Sequence, residues 1–148
     1  MKKFTHTDKK GKAAMVDISG KSESARMAKA RGHIIVARET RRLIRENLVQ
    51  KGDVLTVAMI AGINAAKQTQ NLIPLCHNIL IENIEVSLAV DNTGVTASSV
   101  VRSTGKTGVE MEALTAVSVA LLTVYDMCKA VDKKMRVDNI ELIEKVKS

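Results

Sequence analysis

Two stretches in which apolar and polar residues alternate, joined by a short turn, constrain the fold of this sequence more than any other feature. Apolar residues recur at alternate positions through much of residues 79–90, and residues 95–102 follow after an Asp-Asn-Thr-Gly turn at 91–94. A period of two is typical of a β-strand, and a turn rich in Asp, Asn and Gly joins antiparallel strands. The sequence therefore predicts a β-hairpin within an antiparallel sheet.

Two more strands and three helices are predicted around this hairpin. In chain order they are a strand over 26–37, helices over 39–49 and 53–69, the hairpin strands, a helix over 109–131 and a strand over 136–146. Asp53 is the expected N-cap of the second helix, and Pro74 ends it in a turn over 72–77. This order predicts an α+β fold, an antiparallel sheet with helices packed on one face.

Length and composition predict one domain with an aliphatic core. The 148 residues are 45% hydrophobic and only 1% aromatic, so aromatic platforms for stacking nucleic acid bases are essentially excluded. We expect an extended N-terminal arm over 1–21 and a single α+β catalytic domain over 22–148. The formal net charge of +7 favours a polyanionic partner such as a phosphate-rich metabolite.

The cysteines and the N-terminus bear on location and metal binding. Cys76 and Cys128 are far apart and in no CxxC spacing, so neither a disulfide framework nor a metal site is predicted. Two free thiols fit a reducing, cytoplasmic setting. The basic residues 1–3 are followed by polar ones and not by an apolar run, and no apolar run is long enough to span a bilayer, so neither a secretory signal nor a membrane partner is expected.

A Gly-Lys-Thr-Gly turn at residues 105–108 precedes the longest predicted helix. It resembles the end of a P-loop, but Val100 stands five residues before Gly105, where a P-loop needs glycine. The turn still offers a lysine and free backbone amides to an anion. An anion site and a plain flexible helix entry remain equal alternatives for it.

Acidic residues lie at both ends of this helix. Glu110 and Glu112 are at its start, whereas Asp126 and Lys129 are spaced i,i+3 near its end. At about 1.5 Å per residue, Glu112 and Asp126 are about 21 Å apart along the axis. If both ends are functional, the economical arrangement is a site shared between two copies in a symmetric oligomer.

Several stretches of the chain together resemble one known family, the molybdenum cofactor biosynthesis protein C family. They are FTH at 4–6, MVDIS at 15–19, KGDV at 51–54, AGI at 61–63, AAK at 65–67, LIPLCH at 72–77, TGVEMEALT at 107–115 and YDMCKAV at 125–131. Asn78 stands where the family commonly has proline, and Met59 where arginine is usual.

The resemblance implies a ferredoxin-like subunit, a hexamer built as a trimer of dimers, and active sites at the dimer interface. It also implies a lyase, cyclic pyranopterin monophosphate synthase. The substrate would be a cyclised dihydroguanosine triphosphate in which ribose C3′ is already bonded to base C8. The enzyme rearranges it to the pyranopterin, closes a cyclic phosphate and releases pyrophosphate. The reaction requires no redox change, so no cofactor is expected.

The resemblance also implies roles for individual residues. Lys51, Lys129 and Asp126 would be catalytic. The substrate would be bound by Leu75, Cys76, His77, Glu110, Met111 and Glu112, with Arg26 and Lys67 on its triphosphate. A lysine acts as an acid or base near neutral pH when burial or neighbouring cations lower its pKa, and we expect this lysine-rich setting to do so.

A second function, from another class, is a basic module that binds nucleotides or RNA without catalysis. Its electrostatic face would be the predicted strand at residues 26–31. The scarcity of aromatic residues weakens this alternative. Salt-resistant RNA binding without turnover would favour it over the enzyme.

Overall fold

Four strands and four helices make up the chain in a computed structural model that describes residues 7–8 and 10–148. In order they are β1 (Ser24–Ile35), α1 (Arg38–Arg45), α2 (Val54–Lys67), α3 (Thr69–Leu72), β2 (Ile81–Val90), β3 (Gly94–Gly105), α4 (Glu110–Cys128) and β4 (Arg136–Lys147). Residues 1–6 and 9 lie outside the described residues. They include part of the predicted arm at 1–21 and the basic residues 1–3 that bear on a secretory signal.

The four strands form one antiparallel sheet in the order β2-β3-β1-β4. The hairpin predicted from the alternating pattern is confirmed, with Val90 opposite Val95. Asp91 stabilises its turn by accepting hydrogen bonds from the backbone N–H groups of Thr93 and Gly94 at 2.8 and 2.9 Å. Strand order and chain order together make an α+β fold of the ferredoxin-like kind, as predicted.

The core lies between one face of this sheet and helices α2 and α4. Small and β-branched side chains of β1 and β3 are fully buried there, among them Ala28, Val95 and Val101. Gly32 of β1 permits close approach of α4, because a Cβ at this position would come within 2.8 Å of side-chain atoms of Leu121 and Val117. Without bulky aromatic residues, the elements fill the core by packing close together.

Helix α4 is held along most of its length by this core. By length and composition it could cross a membrane, but 56% of its apolar window is buried inside the fold. Such burial is typical of a core helix.

The boundaries of the elements differ from the sequence-based ones by a few residues. The cap at Asp53 is confirmed, since its side chain accepts a hydrogen bond from Thr56 N at 3.1 Å. The second helix ends at Lys67, and a separate turn of helix, α3, covers part of the segment for which we predicted helix and turn. α4 ends at Cys128, three residues earlier than predicted, because residues 129–131 form turns.

Strand β4 lies at an edge of the sheet and is irregular. Its register against β1 shifts twice, between Lys29 and Ala30 and between Arg31 and His33. Asn139 has a φ of 52°, a left-handed conformation that asparagine tolerates better than most residues. β4 is therefore a bulged strand with most of its length exposed.

Candidate active site

Two lysines and one carboxylate meet at the C-terminal end of α4. Asp126 Oδ2 lies 2.8 Å from Lys51 Nζ, and Asp126 Oδ1 lies 2.7 Å from Lys129 Nζ. Lys51 Nζ also donates to the backbone carbonyl of Asp126 at 3.1 Å. The loop between α1 and α2 thus brings Lys51 onto the last turn of α4, and the structure assembles the three residues that the resemblance marks as catalytic.

The charges of this cluster stabilise one another. Hydrogen bonds from Lys129 and Lys51 lower the pKa of Asp126 to about 2. The same bond to Asp126 raises the pKa of Lys129. The expectation that its surroundings lower the pKa of this lysine is therefore wrong for Lys129 within one chain. At neutral pH Lys129 is protonated, which suits it to stabilise negative charge.

A cavity of about 230 Å³ lies at the other end of α4. Its walls are Leu75, Cys76, His77, Ile79, Thr107, Gly108, Glu110, Met111 and Glu112. All six residues that the resemblance marks as substrate-binding at this position line it. The turn after Pro74 supplies one wall and the first turn of α4 supplies the other, so two segments far apart in the sequence form one pocket.

Glu112 is the most buried carboxyl group of this cavity, with only 4% of its surface exposed. Burial raises its pKa, and the neighbouring Glu110 raises it further. Burial, followed by the charge of Glu112, also raises the pKa of the Cys76 thiol. A carboxyl group with a raised pKa inside a pocket is a candidate for holding and releasing a proton.

His77 contacts the N-terminal arm. Its Nε2 lies 2.6 Å from the backbone oxygen of Val16. Because a carbonyl oxygen can only accept, this nitrogen carries the proton. His77 thus lines the cavity and also holds residue 16 beside it.

Arg26 lies in a neighbouring cleft of about 500 Å³ that shares Thr107 and Gly108 with the cavity. This cleft is also lined by Lys21, Lys106 and Lys147. A triphosphate could therefore extend from the cavity onto a row of cations.

Lys67 is placed elsewhere. It lines a separate depression with Ile63, Ile79 and Glu82, and shares only Ile79 with the cavity. Arg26 and Lys67 thus flank the cavity from different sides and share no pocket within one chain, although we expected both on the triphosphate.

Sequence reasoning missed two of the three lysines that join Arg26 in the cleft. For Lys106, the Gly-Lys-Thr-Gly turn had left an anion site as one of two alternatives. Lys21 and Lys147 carried no such signal, because their proximity depends on β1 lying between β3 and β4.

The basic face of β1, on which the RNA-binding alternative depends, is largely neutralised. Lys29 pairs with Glu144 at 2.7 Å and Arg31 pairs with Glu141 at 3.3 Å, both across to β4.

Over the residues that the structure covers, no three His, Cys, Asp or Glu side chains are grouped to hold a metal ion.

Comparison with known proteins gives a consistent result. Residues 15–148 match the model of the MoaC family. A protein of Heliobacterium modesticaldum is 53% identical over 147 residues, which are 98% of this chain and 92% of the relative. One of Methylobacterium sp. (strain 4-46) is 54% identical over 147 residues, with the same coverage of both chains. Both relatives bear the name cyclic pyranopterin monophosphate synthase.

Proposed function

Because the chain belongs to the MoaC family, we propose that it is a cyclic pyranopterin monophosphate synthase, a lyase of molybdenum cofactor biosynthesis. Its substrate is the cyclised dihydroguanosine triphosphate, which it converts to cyclic pyranopterin monophosphate with release of pyrophosphate. The observation that carries this proposal is identity above 50% along nearly the whole chain to relatives of that name.

The two ends of α4 supply different parts of this chemistry. The protonated Lys129, held by Asp126 with Lys51, donates a proton or stabilises the charge that develops as pyrophosphate leaves. Glu112 exchanges protons with the ring system inside the cavity, since burial raises its pKa. Arg26 and the cleft around it hold the phosphates. The reaction is thus acid–base and electrostatic catalysis.

The site is shared between copies of the chain. Along α4, Glu112 and Asp126 are separated by about 21 Å, too far for one compact substrate to reach both in the same subunit. Four apolar side chains close in sequence to the residues of the lysine cluster are exposed in a single chain, namely Leu48, Leu122, Tyr125 and Val131. Covering them with a second subunit would bring its cavity to these lysines, and a hexamer built as a trimer of dimers contains such pairs.

Pyrophosphate release tests the activity directly. The purified protein is incubated with the cyclised triphosphate, and pyrophosphate and the pyranopterin product are quantified. We expect both in equal amounts. Absence of turnover with this substrate, in a folded oligomeric preparation, would overturn the proposed activity.

Complementation tests the shared site. Glu112→Gln and Lys129→Met are each expected to be inactive, and the two variants are co-refolded in equal amounts. Random pairing across a two-fold axis gives half mixed dimers with one intact site of two, so about a quarter of the wild-type activity returns. A mixture as inactive as its components would show that each site lies within one chain.

The cytoplasm is the proposed location. Cys76 and Cys128 are both free thiols. Free thiols persist in a reducing compartment such as the cytoplasm.

A further inference from the structure

The cationic cleft beside the cavity contains a lysine for which the family resemblance gives no role. Lys106 lines this cleft together with Lys21, Arg26 and Lys147, and none of the described residues that line it is acidic. The cleft and the cavity share Thr107 and Gly108, so they adjoin one another. An anionic tail that leaves the cavity would enter a region of positive potential.

Two cations of this cleft, Lys106 and Arg26, donate hydrogen bonds to backbone carbonyl groups. Lys106 Nζ donates to the carbonyl oxygen of Ser19 at 2.8 Å. Arg26 makes long hydrogen bonds to the carbonyl oxygens of Gly105 and Lys106, at 3.5 and 3.4 Å. A phosphate oxygen forms a hydrogen bond with a cation that is roughly twice as strong as a neutral one. These carbonyls are therefore contacts that a phosphate can replace.

Buried hydroxyl groups lie next to Arg26. Ser103 pairs with Arg26 across the strands, and Ser24 pairs with Gly105. The Oγ atoms of both serines are buried without a hydrogen-bond partner in the part of the chain that the structure describes, and Ser103 is only 1% exposed. An unsatisfied buried hydroxyl is costly, so these two groups point to a polar ligand or bound water at this place.

Asp17 makes the contact between the arm and Lys106 sensitive to an incoming anion. Its Oδ1 accepts a hydrogen bond from Ser19 N at 2.8 Å. Hydrogen bonds from Ser19 lower the pKa of Asp17, and the nearby charge of Lys106 lowers it further. The carboxylate therefore stands ionised close to the lysine. A phosphate that binds Lys106 would repel Asp17 and with it the segment that carries Ser19.

We propose that Lys106 is a phosphate ligand that exchanges the Ser19 carbonyl for an oxygen of the pyrophosphate group, and that residues 16–19 detach from the cleft as this happens. That this pyrophosphate is the β,γ end of the substrate rests on the proposed function. The binding of free pyrophosphate to the cleft does not depend on the proposed function. The arm thus covers the empty cleft and is displaced by the group that the reaction releases.

Titration with inorganic pyrophosphate, followed by calorimetry, tests the ligand role of Lys106. Lys106→Met keeps the length of the side chain and removes its charge, so we expect pyrophosphate to bind at least tenfold more weakly. Lys106→Arg restores charge and donors, and we expect affinity within about threefold of wild type. Lys134→Met removes an exposed lysine outside the cleft and is the matched control.

Unchanged affinity in Lys106→Met, with circular dichroism and melting temperature as in wild type, would overturn the ligand role. An equal loss of pyrophosphate affinity in Lys134→Met would also overturn the ligand role, because the loss would then follow from the lower net charge of the protein. Loss in Lys106→Met that Lys106→Arg reverses supports the proposal even if the cyclised triphosphate is not turned over. The failure of the proposed function can thus be distinguished from the failure of this inference.

Hydrogen exchange tests the displacement of the arm. The amide of Ser19 is bonded to Asp17, and that of Lys21 is bonded to the Ile18 carbonyl at 3.0 Å, so both are protected when the arm is in place. We expect pyrophosphate to speed their exchange several-fold in the wild type. In Lys106→Met the exchange is already fast without pyrophosphate. Protection that is unchanged or increased by pyrophosphate in the wild type would contradict the displacement.

Discussion

The two ends of helix α4 place carboxyl groups in opposite environments. At the first turn, Glu112 is buried in a cavity, and loss of water raises its pKa. At the last turn, Asp126 is exposed between two lysines, which lower its pKa to about 2. Burial thus sets the pKa of the carboxyl group at the first turn, whereas two neighbouring lysines set the pKa of the one at the last turn.

This difference divides the chemistry between the two ends. A carboxyl group that resists ionisation can exchange a proton, whereas a carboxylate that stays ionised can only hold and orient cations. In the proposed mechanism Asp126 therefore acts through Lys129 and Lys51, and Glu112 exchanges the proton. The four predictions that follow test this division, beginning with the largest expected effect.

Removing either lysine of the cluster should cause the largest loss. In Lys51→Met or Lys129→Met, we expect turnover of the cyclised triphosphate to fall by about 10³-fold or more, since a charged donor in the transition state is lost. Steady-state pyrophosphate release measures this, and sedimentation checks that the oligomer is intact. Lys134→Met, which removes an exposed lysine not bonded to Asp126, should retain its activity. Near-normal turnover in either cluster variant would refute its catalytic role.

Neutralising the buried carboxyl group should lower activity and stabilise the fold. In Glu112→Gln we expect turnover to fall by about 10²-fold. Because the native pKa of Glu112 is raised, the native state retains a proton that the unfolded state loses, and wild-type stability falls as pH rises from the ordinary glutamate pKa to the raised one.

The melting temperature of Glu112→Gln should therefore match that of wild type in acid and exceed it near neutral pH, by roughly 2–4 °C for each kcal/mol. Thermal scans across this pH range measure the gap. Glu110→Gln leaves Glu112 buried and removes only the smaller contribution of its neighbour to the raised pKa, so its gap should be smaller than that of Glu112→Gln. A gap independent of pH would indicate that ionisation of Glu112 is not its cause.

Pushing the middle of α4 away from β1 should disturb the residues at both ends of the helix. In Gly32→Ala, the new Cβ meets side chains of Leu121 and Val117, and we expect a loss of about 1–3 kcal/mol in the free energy of unfolding. Urea unfolding measures it. Gly20→Ala places its Cβ in open space and is the stability control. An unchanged free energy in Gly32→Ala would mean that β1 and α4 can separate without cost.

The smallest effect should be a change in one titration. In Asp126→Asn, the pKa of Lys129 should fall, because its hydrogen bond to a carboxylate is lost. NMR of labelled lysine side chains measures this pKa, with the resonance of Lys134 as internal reference. The titration of Glu112 should not change, since it lies at the other end of the helix. A shift at Glu112 as well would show that the two ends are electrostatically coupled.

Local patterns in the sequence predicted most of the fold. The alternation in the hairpin, the cap at Asp53 and the breaker at Pro74 act on near neighbours, and each was confirmed or displaced by only a few residues. The order of the strands follows from how a ferredoxin-like chain crosses its sheet. The short α3 and the early end of α4 were missed, because a single turn of helix has little periodicity.

The candidate site was predictable where spacing along one helix determines it. The i,i+3 pair at Asp126 and Lys129 and its distance from Glu112 follow from helix geometry alone. The sequence could not show that Lys51 pairs with Asp126 or that Lys147 lines the same cleft as Lys106, since both depend on packing between distant segments. Nor could it show that Asp126 raises the pKa of Lys129, because that depends on the close contact between the two side chains.

The irregular strand β4 has a consequence for how the protein behaves at high concentration. An exposed sheet edge with a continuous row of unpaired backbone groups can recruit another strand and start a fibril. Two register shifts and the left-handed Asn139 interrupt that row, and charged side chains such as Glu144 and Lys145 lie along it. The edge that carries exposed Ile143 and Val146 is therefore a poor template for aggregation, which leaves these residues free for more specific contacts.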